Sequence, residues 1–211
     1  MYVVDRDFGF APNPFHGSCT LATCKPKIRK AATIGDWVVG MGGSRLSATG
    51  RCIFAMRVSS KLSFDQYWSA QAYKDKIPVR NGSMRMMIGD NIYHRVSGPL
   101  NWAQADSHHS NADGSVNAYN LANDTSVDAI LVSDYFYYFG SGAPAVPRRV
   151  LDRIGYRNGR SHRVFDLAGS ASRLVIWLEC RFADSRNQVL ADPFDFNRSV
   201  ARYSVKTNRV V

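Results

Sequence analysis

Ile34-Gly35-Asp36-Trp37-Val38-Val39-Gly40-Met41-Gly42-Gly43, followed by Gly50-Arg51-Cys52-Ile53-Phe54-Ala55-Met56-Arg57-Val58, is the stretch on which the fold turns. The first segment reads as a turn, a buried strand and a second turn, because aromatic and β-branched residues stand between glycines. The second alternates and is rich in apolar residues. Across the loop 42–49 the two predict an antiparallel pair. Upstream, Tyr2-Val3-Val4 predicts a short strand, and Phe8 to Gly17 a long loop punctuated by Gly9, Pro12, Pro14 and Gly17. Downstream, Ser63 to Tyr73 predicts a helix: Ser63 can cap it, Asp65 sits in its first turn, and Phe64, Tyr67, Trp68 and Ala72 share one side. Residues 81–127 hold Gly, Asn, Ser and Asp in quantity and read as a long functional loop region with one short strand at Asn91 to Val96. Asp128 to Ser133 and Tyr135 to Gly140 read as strands, and Phe165 to Phe182 as a helix secure from about Ser170.

With four or five strands, two main helices and no alternation of strand with helix, the pattern predicts one α+β domain with a curved, mostly antiparallel sheet. The domain should span residues 1–197, with 198–211 as a basic, peripheral tail. The length of 211 residues suits one such domain, and 45% hydrophobic residues exclude wholesale disorder. No apolar run approaches the roughly 18 residues that cross a bilayer, and the first residues have no basic-then-apolar leader pattern, so a soluble cytoplasmic protein without a membrane partner is expected.

Charge is unevenly spread. Residues 1–60, 61–100, 101–147 and 148–211 carry +5, +3, −5 and +7, which gives the total of +10. Most cations are Arg, whose planar fork suits phosphate, so a nucleotide or nucleic acid is the expected partner, DNA before RNA. Solubility alone is the plainer account of the same surplus. No P-loop, G-x-G-x-x-G, G-x-S-x-G or H-E-x-x-H occurs, so no ATP or dinucleotide cofactor is indicated.

Three of the five histidines fall in two polar segments, Gly89-Asp90-Asn91-Ile92-Tyr93-His94-Arg95 and Gln104-Ala105-Asp106-Ser107-His108-His109-Ser110. In an extended chain Asp106 and His108 project to one side and His109 to the other, so Asp106 could orient an imidazole for acid–base work. Asp90, His94, Asp106, His108 and His109 are the expected catalytic set. The same groups could ligate Mn, Fe or Zn, or simply hold the loop through backbone hydrogen bonds; a metal-free protein is expected. Cys19 and Cys24, at C-x4-C spacing, lack a second pair to complete a zinc tetrahedron and read as reduced thiols. Lys25, Lys27 and Arg29, beside the aromatic loop with Asn13 and Phe15, are expected at phosphates, with Trp102 as a base-stacking residue in a polar loop.

The blocks Phe8-Gly9-Phe10-Ala11-Pro12-Asn13-Pro14-Phe15, Cys19-Thr20-Leu21-Ala22-Thr23-Cys24-Lys25-Pro26, Gly89-Asp90-Asn91-Ile92-Tyr93-His94-Arg95, Asp106-Ser107-His108-His109-Ser110 and Asp192-Pro193-Phe194-Asp195 occur in this order over residues 1 to about 196. Together with Ile34 to Gly40 they resemble the nucleotide modification associated domain 2 family. That resemblance implies company with DNA base hypermodification systems of bacteria and phages, and other base-modification enzymes as partners. A second likeness, over the paired strands alone, is to PUA-like barrels. It implies a barrel-like sheet and, as the alternative to an enzyme, a reader that binds modified bases without converting them.

Overall fold

The computed structural model describes residues 1–159 and 161–210. Along the chain run β1 (Tyr2–Val4), β2 (Cys19–Leu21), α1 (Pro26–Ala31), β3 (Trp37–Gly42), β4 (Cys52–Arg57), β5 (Ser60–Leu62), α2 (Phe64–Ser69), α3 (Met84–Met87), β6 (Tyr93–Arg95) and β7 (Trp102–Gln104). Then come α4 (Ala118–Thr125), β8 (Ile130–Ser133), β9 (Tyr135–Tyr138), α5 (Arg148–Arg153), α6 (Ser172–Arg181), β10 (Gln188–Val189), β11 (Tyr203–Ser204) and β12 (Arg209–Val210). The fold is α+β, as the sequence pattern implies.

β3 and β4 pair antiparallel, Val39 opposite Ala55, at the heart of a five-stranded sheet of order β1-β3-β4-β9-β10. Only glycine fits at residue 40, since a Cβ there would run into the Phe54 ring on the neighbouring strand. β1 and β10 join at the two edges in parallel, so the sheet is mixed at its margins. β2, β8 and β5 form a second, antiparallel sheet. Of the four passages of the chain between the two sheets, two run directly from strand to strand, at Val58–Ser59 between β4 and β5 and at Asp134 between β8 and β9. Ser59 Oγ donates to Asp134 at this crossing. This accounts for the curvature, but no sheet among the described residues closes into a barrel, which removes the PUA-like closure from the architecture.

Two apolar clusters follow from this division. One packs Val38, Phe54, Met56, Tyr137 and Phe139 of the larger sheet under Leu174 and Leu178 of α6. The other gathers Phe8, Phe10, Phe15, Phe64, Tyr67 and Tyr93 around the smaller sheet. At roughly 25 cal/mol per Å² of apolar surface, such aromatic burial is the main favourable term.

α2 starts as expected, with Ser63 and Gln66 forming a reciprocal capping box at 3.2 and 2.8 Å. It stops at Ser69 rather than Tyr73, because the Ser69 hydroxyl donates back to the Asp65 carbonyl at 2.7 Å and the chain turns extended at Ala70. The long loop holds more order than its composition suggests: the β6–β7 hairpin, α3, and α4 capped by Asn117. The segment read as a peripheral tail instead makes the β11–β12 hairpin, folded back on the domain by the Tyr203 amide donating to the His108 carbonyl at 2.7 Å. No described helix is long and apolar enough to cross a membrane.

Candidate active site

β2 leads into a tight turn in which Cys24 (φ 55°) and Lys25 (φ 40°) both adopt left-handed backbone conformations before Pro26 opens α1. Two consecutive non-glycine residues in this region cost on the order of 1–3 kcal/mol each and persist only where the surroundings impose them. Here Arg29 imposes them. Its guanidinium is wholly buried and donates to the carbonyls of Cys24 (2.9 Å), Val127 (2.9 Å), Ala129 (2.7 Å) and Asp124 (2.5 Å), tying the turn to the end of α4.

The second strand of the site is the turn at Ser107 to Ser110. Ser110 Oγ accepts from the Ser107 amide at 3.0 Å, Ser107 Oγ from the His109 amide at 3.2 Å, and Asn120 Nδ2 donates to the His109 carbonyl at 2.8 Å. The ring of His109 is thereby fixed between Cys24 and Asp124. Its Nε2 lies 3.5 Å from Cys24 Sγ, and its Nδ1 lies 2.7 Å from Asp124 Oδ2. Asp124 is fully buried and also accepts from the Cys24 amide (2.8 Å), Tyr93 Oη (3.0 Å) and Asn123 Nδ2 (3.0 Å). Its acceptor capacity therefore holds the Nδ1–H tautomer and leaves Nε2 facing the sulfur.

Electrostatics reinforce the order. Burial alone would depress the His109 pKa, but Cys24 and Asp124 outweigh it and raise it. Burial would raise that of Asp124, yet the His109 and Arg29 cations bring it below the ordinary carboxylate range. The arrangement offers a thiol, a base and an orienting carboxylate, the groups that nucleophilic catalysis uses.

Cys24, His109 and Asp124 are the described residues that could together hold a metal, their donor atoms lying within 4.8 Å of one another. Asp124 lies close to the sulfur as well as to the ring, its Oδ1 accepting from the Cys24 amide. Both of its oxygens are already engaged, Oδ1 by the Cys24 amide at 2.8 Å and Oδ2 by His109 Nδ1 at 2.7 Å, so the three groups are hydrogen-bonded as a proton relay and not opened toward an ion.

Cys24 and His109 stand where two adjoining cavities meet, a wide one of about 770 Å³ and a narrow one of about 240 Å³. Arg6, Lys25, Lys27 and Arg45 line the wide one, and Phe8, Phe10 and His108 the narrow one. Arg6 is held by the Asn208 carbonyl at 2.8 Å and stands over the Tyr203 ring, so the C-terminal hairpin completes the wall.

Of the residues singled out from sequence, His108, His109, Lys25 and Lys27 come together at this cleft. Asp106 does not: it pairs with Arg202 outside, and Asp124, fifteen residues beyond His109, orients the ring instead. Arg29 does not reach a phosphate position, because its donors are spent on four carbonyls. His94 stacks on Trp68 with centroids 3.9 Å apart. Asp90 is buried under Thr20 Oγ1 and Tyr67 Oη at 2.7 and 2.8 Å. Asn13 accepts from the buried Lys76 ammonium at 2.9 Å, and Phe15 stacks on Phe196. Trp102 packs on Phe64 with Arg95 4.1 Å above its ring. Sequence reasoning placed neither Asp124 nor Cys24 beside His109. A cysteine paired with a His/Asp-bearing polar loop was the available signal, but it was read against zinc spacing.

His108 gives a pH test. Burial and the neighbouring His109 charge push its pKa from 6.5 down to about 3, so it is neutral in the native state. Below 6.5 the unfolded chain binds a proton the native state refuses, so this residue costs about 1.4 kcal/mol of stability per pH unit of acidification. Relative to His108→Phe, the wild type should lose roughly 2 kcal/mol between pH 7 and pH 5. Urea melts of both proteins at the two pH values check this, and a difference that does not change with pH would contradict it.

A family model for nucleotide modification associated domain 2 matches residues 1–200, and the chain belongs to that family. No curated protein and no solved structure matches it.

Proposed function

We propose that this member of the nucleotide modification associated domain 2 family is a cysteine-dependent enzyme acting on a nucleotide or on a base in DNA. Cys24 attacks an electrophilic centre of the substrate, His109 accepts the thiol proton and returns it to the leaving group, and Asp124 holds the imidazole. The observation that carries this is the series Sγ to Nε2 at 3.5 Å and Nδ1 to Oδ2 at 2.7 Å, placed at the mouth of a cleft with four cations. A thiol alone is only weakly ionised at neutral pH. A base within reach, itself oriented by a buried carboxylate, supplies the thiolate where the substrate arrives. The Arg and Lys side chains favour a phosphate-bearing substrate, so binding should weaken steeply between 50 and 500 mM salt.

The acid–base role expected of His109 is retained in this reading, with a nucleophile added to it.

Cys24→Ala tests the proposal. The variant should bind nucleotides as the wild type does and convert none of them, read by mass spectrometry over a panel of free and modified nucleotides. In a Cys180→Ser background, which removes the exposed cysteine, iodoacetamide should label Cys24, and His109→Ala should slow that labelling by on the order of 10²-fold. Conversion by Cys24→Ala at the wild-type rate, or labelling indifferent to His109, would rule the enzyme reading out. Binding without conversion by the wild type would leave the reader.

A further inference from the structure

Resting on that reading, we infer that the narrow chamber is a slot for a single nucleobase, with the sugar and phosphate in the wide chamber and the β11–β12 hairpin forming one wall of both. The two chambers share Arg6, Lys25 and Tyr203 but differ in other parts of their lining. Lys27 and Arg45 line only the wide one, and Phe8 and Phe10 only the narrow one, while Cys24 and His109 line both. At about 240 Å³ the narrow chamber suits one planar heterocycle and leaves no space for a second substrate beside it. Aromatic walls favour a base, since every base offers a π-face.

His108 gives this slot a polar recognition point. Its Nδ1 is 2.6 Å from the Ala201 carbonyl, an acceptor, so Nδ1 carries the hydrogen and Nε2 is left with a lone pair. Nε2 has no partner among the described residues and is not sealed from solvent, although the residue is only 3% exposed. The rings of Phe8 and Phe10 hold the imidazole with centroids at 4.5 and 5.1 Å, so it cannot swing away to find water. An acceptor on the wall of a ligand-sized cavity takes a donor, and every nucleobase supplies an N–H, which a phosphate dianion does not.

The hairpin belongs to the same device. Tyr203 lines both chambers and faces His109 at 5.8 Å between centroids. Asn120 pins it, donating to the Tyr203 carbonyl at 2.5 Å and accepting from the Val205 amide at 2.8 Å. Residues 201–210 lie past the family match, which ends at residue 200. Tyr203 is a specificity-determining residue in this reading, distinct from the reacting groups.

The test is calorimetric binding of the four 2′-deoxynucleoside 5′-monophosphates, 2-deoxyribose 5-phosphate and inorganic phosphate to the full chain. At least one nucleotide should bind tenfold or more tightly than deoxyribose phosphate. Tyr203→Ala and His108→Phe should each remove most of that gain while leaving deoxyribose phosphate binding unchanged, and Arg45→Ala should weaken all the phosphate ligands together. Nucleotides that bind no better than deoxyribose phosphate overturn the proposal, as does a gain that survives in Tyr203→Ala, a hairpin variant that leaves both apolar clusters intact. Iodoacetamide labelling of Cys24 in the same proteins reports the triad separately, so loss of the base slot and loss of the thiol chemistry are told apart.

Discussion

Replacing Asp124 with asparagine is expected to lower turnover by roughly 10³–10⁴-fold, the scale of an orienting carboxylate in a nucleophile–base–acid series. Four groups donate to Asp124: His109 Nδ1, the Cys24 amide, Tyr93 Oη and Asn123 Nδ2. An asparagine offers one acceptor oxygen and one amide that can only donate, so at least one of these donors meets another donor. If the amide nitrogen faces Nδ1, the imidazole takes the other tautomer and its Nε2–H points at the sulfur, where no lone pair remains to receive the thiol proton. Rates of Cys24 alkylation and of nucleotide conversion should fall together. Thermal melts separate this from unfolding, and a loss below tenfold in a folded variant would remove Asp124 from the mechanism.

Arg29→Leu is expected to destabilise the protein by about 3–5 kcal/mol, because it removes one of the two cations that offset the buried Asp124 charge and leaves four carbonyls short of a donor. For a domain of this size that corresponds to a fall in Tm of roughly 6–20 °C. Arg29→Lys should recover only part of the loss, since a single ammonium cannot reproduce a fork that reaches Cys24, Val127, Ala129 and Asp124. Urea and thermal denaturation check both variants. A cost below about 1 kcal/mol would show that the clamp is not what holds the Cys24 turn. Binding of inorganic phosphate should be unchanged in whatever fraction remains folded, because no Arg29 donor faces the cleft.

The central hairpin was legible in the chain itself. Trp37 to Gly42 and Cys52 to Arg57 carry glycine-bounded apolar runs whose period of two admits little else, and the same holds for β8 and β9. The capping box at Ser63 was equally local, as was the apolar face of α6. The family was legible too, from its ordered blocks, and with it the link to nucleotide modification. What the sequence did not contain was which polar residues meet. Cys24 lies 85 residues from His109, and Asp106 is the nearer carboxylate along the chain, so local geometry favoured the wrong partner for the ring. Tertiary packing reversed that choice: α4, itself short and polar, carries Asp124 beneath the imidazole, and Arg29 turns inward to anchor it because burial leaves four carbonyls for it to satisfy. Closure of the sheet was likewise a tertiary decision, since β4 hands the chain on to a second sheet and β9 receives it back from there, with no barrel completed. Charge composition pointed to an anionic substrate; the fold alone decided which of the 27 cations stand at the thiol, because a cation's reach depends on where its backbone is held and not on its place in the sequence.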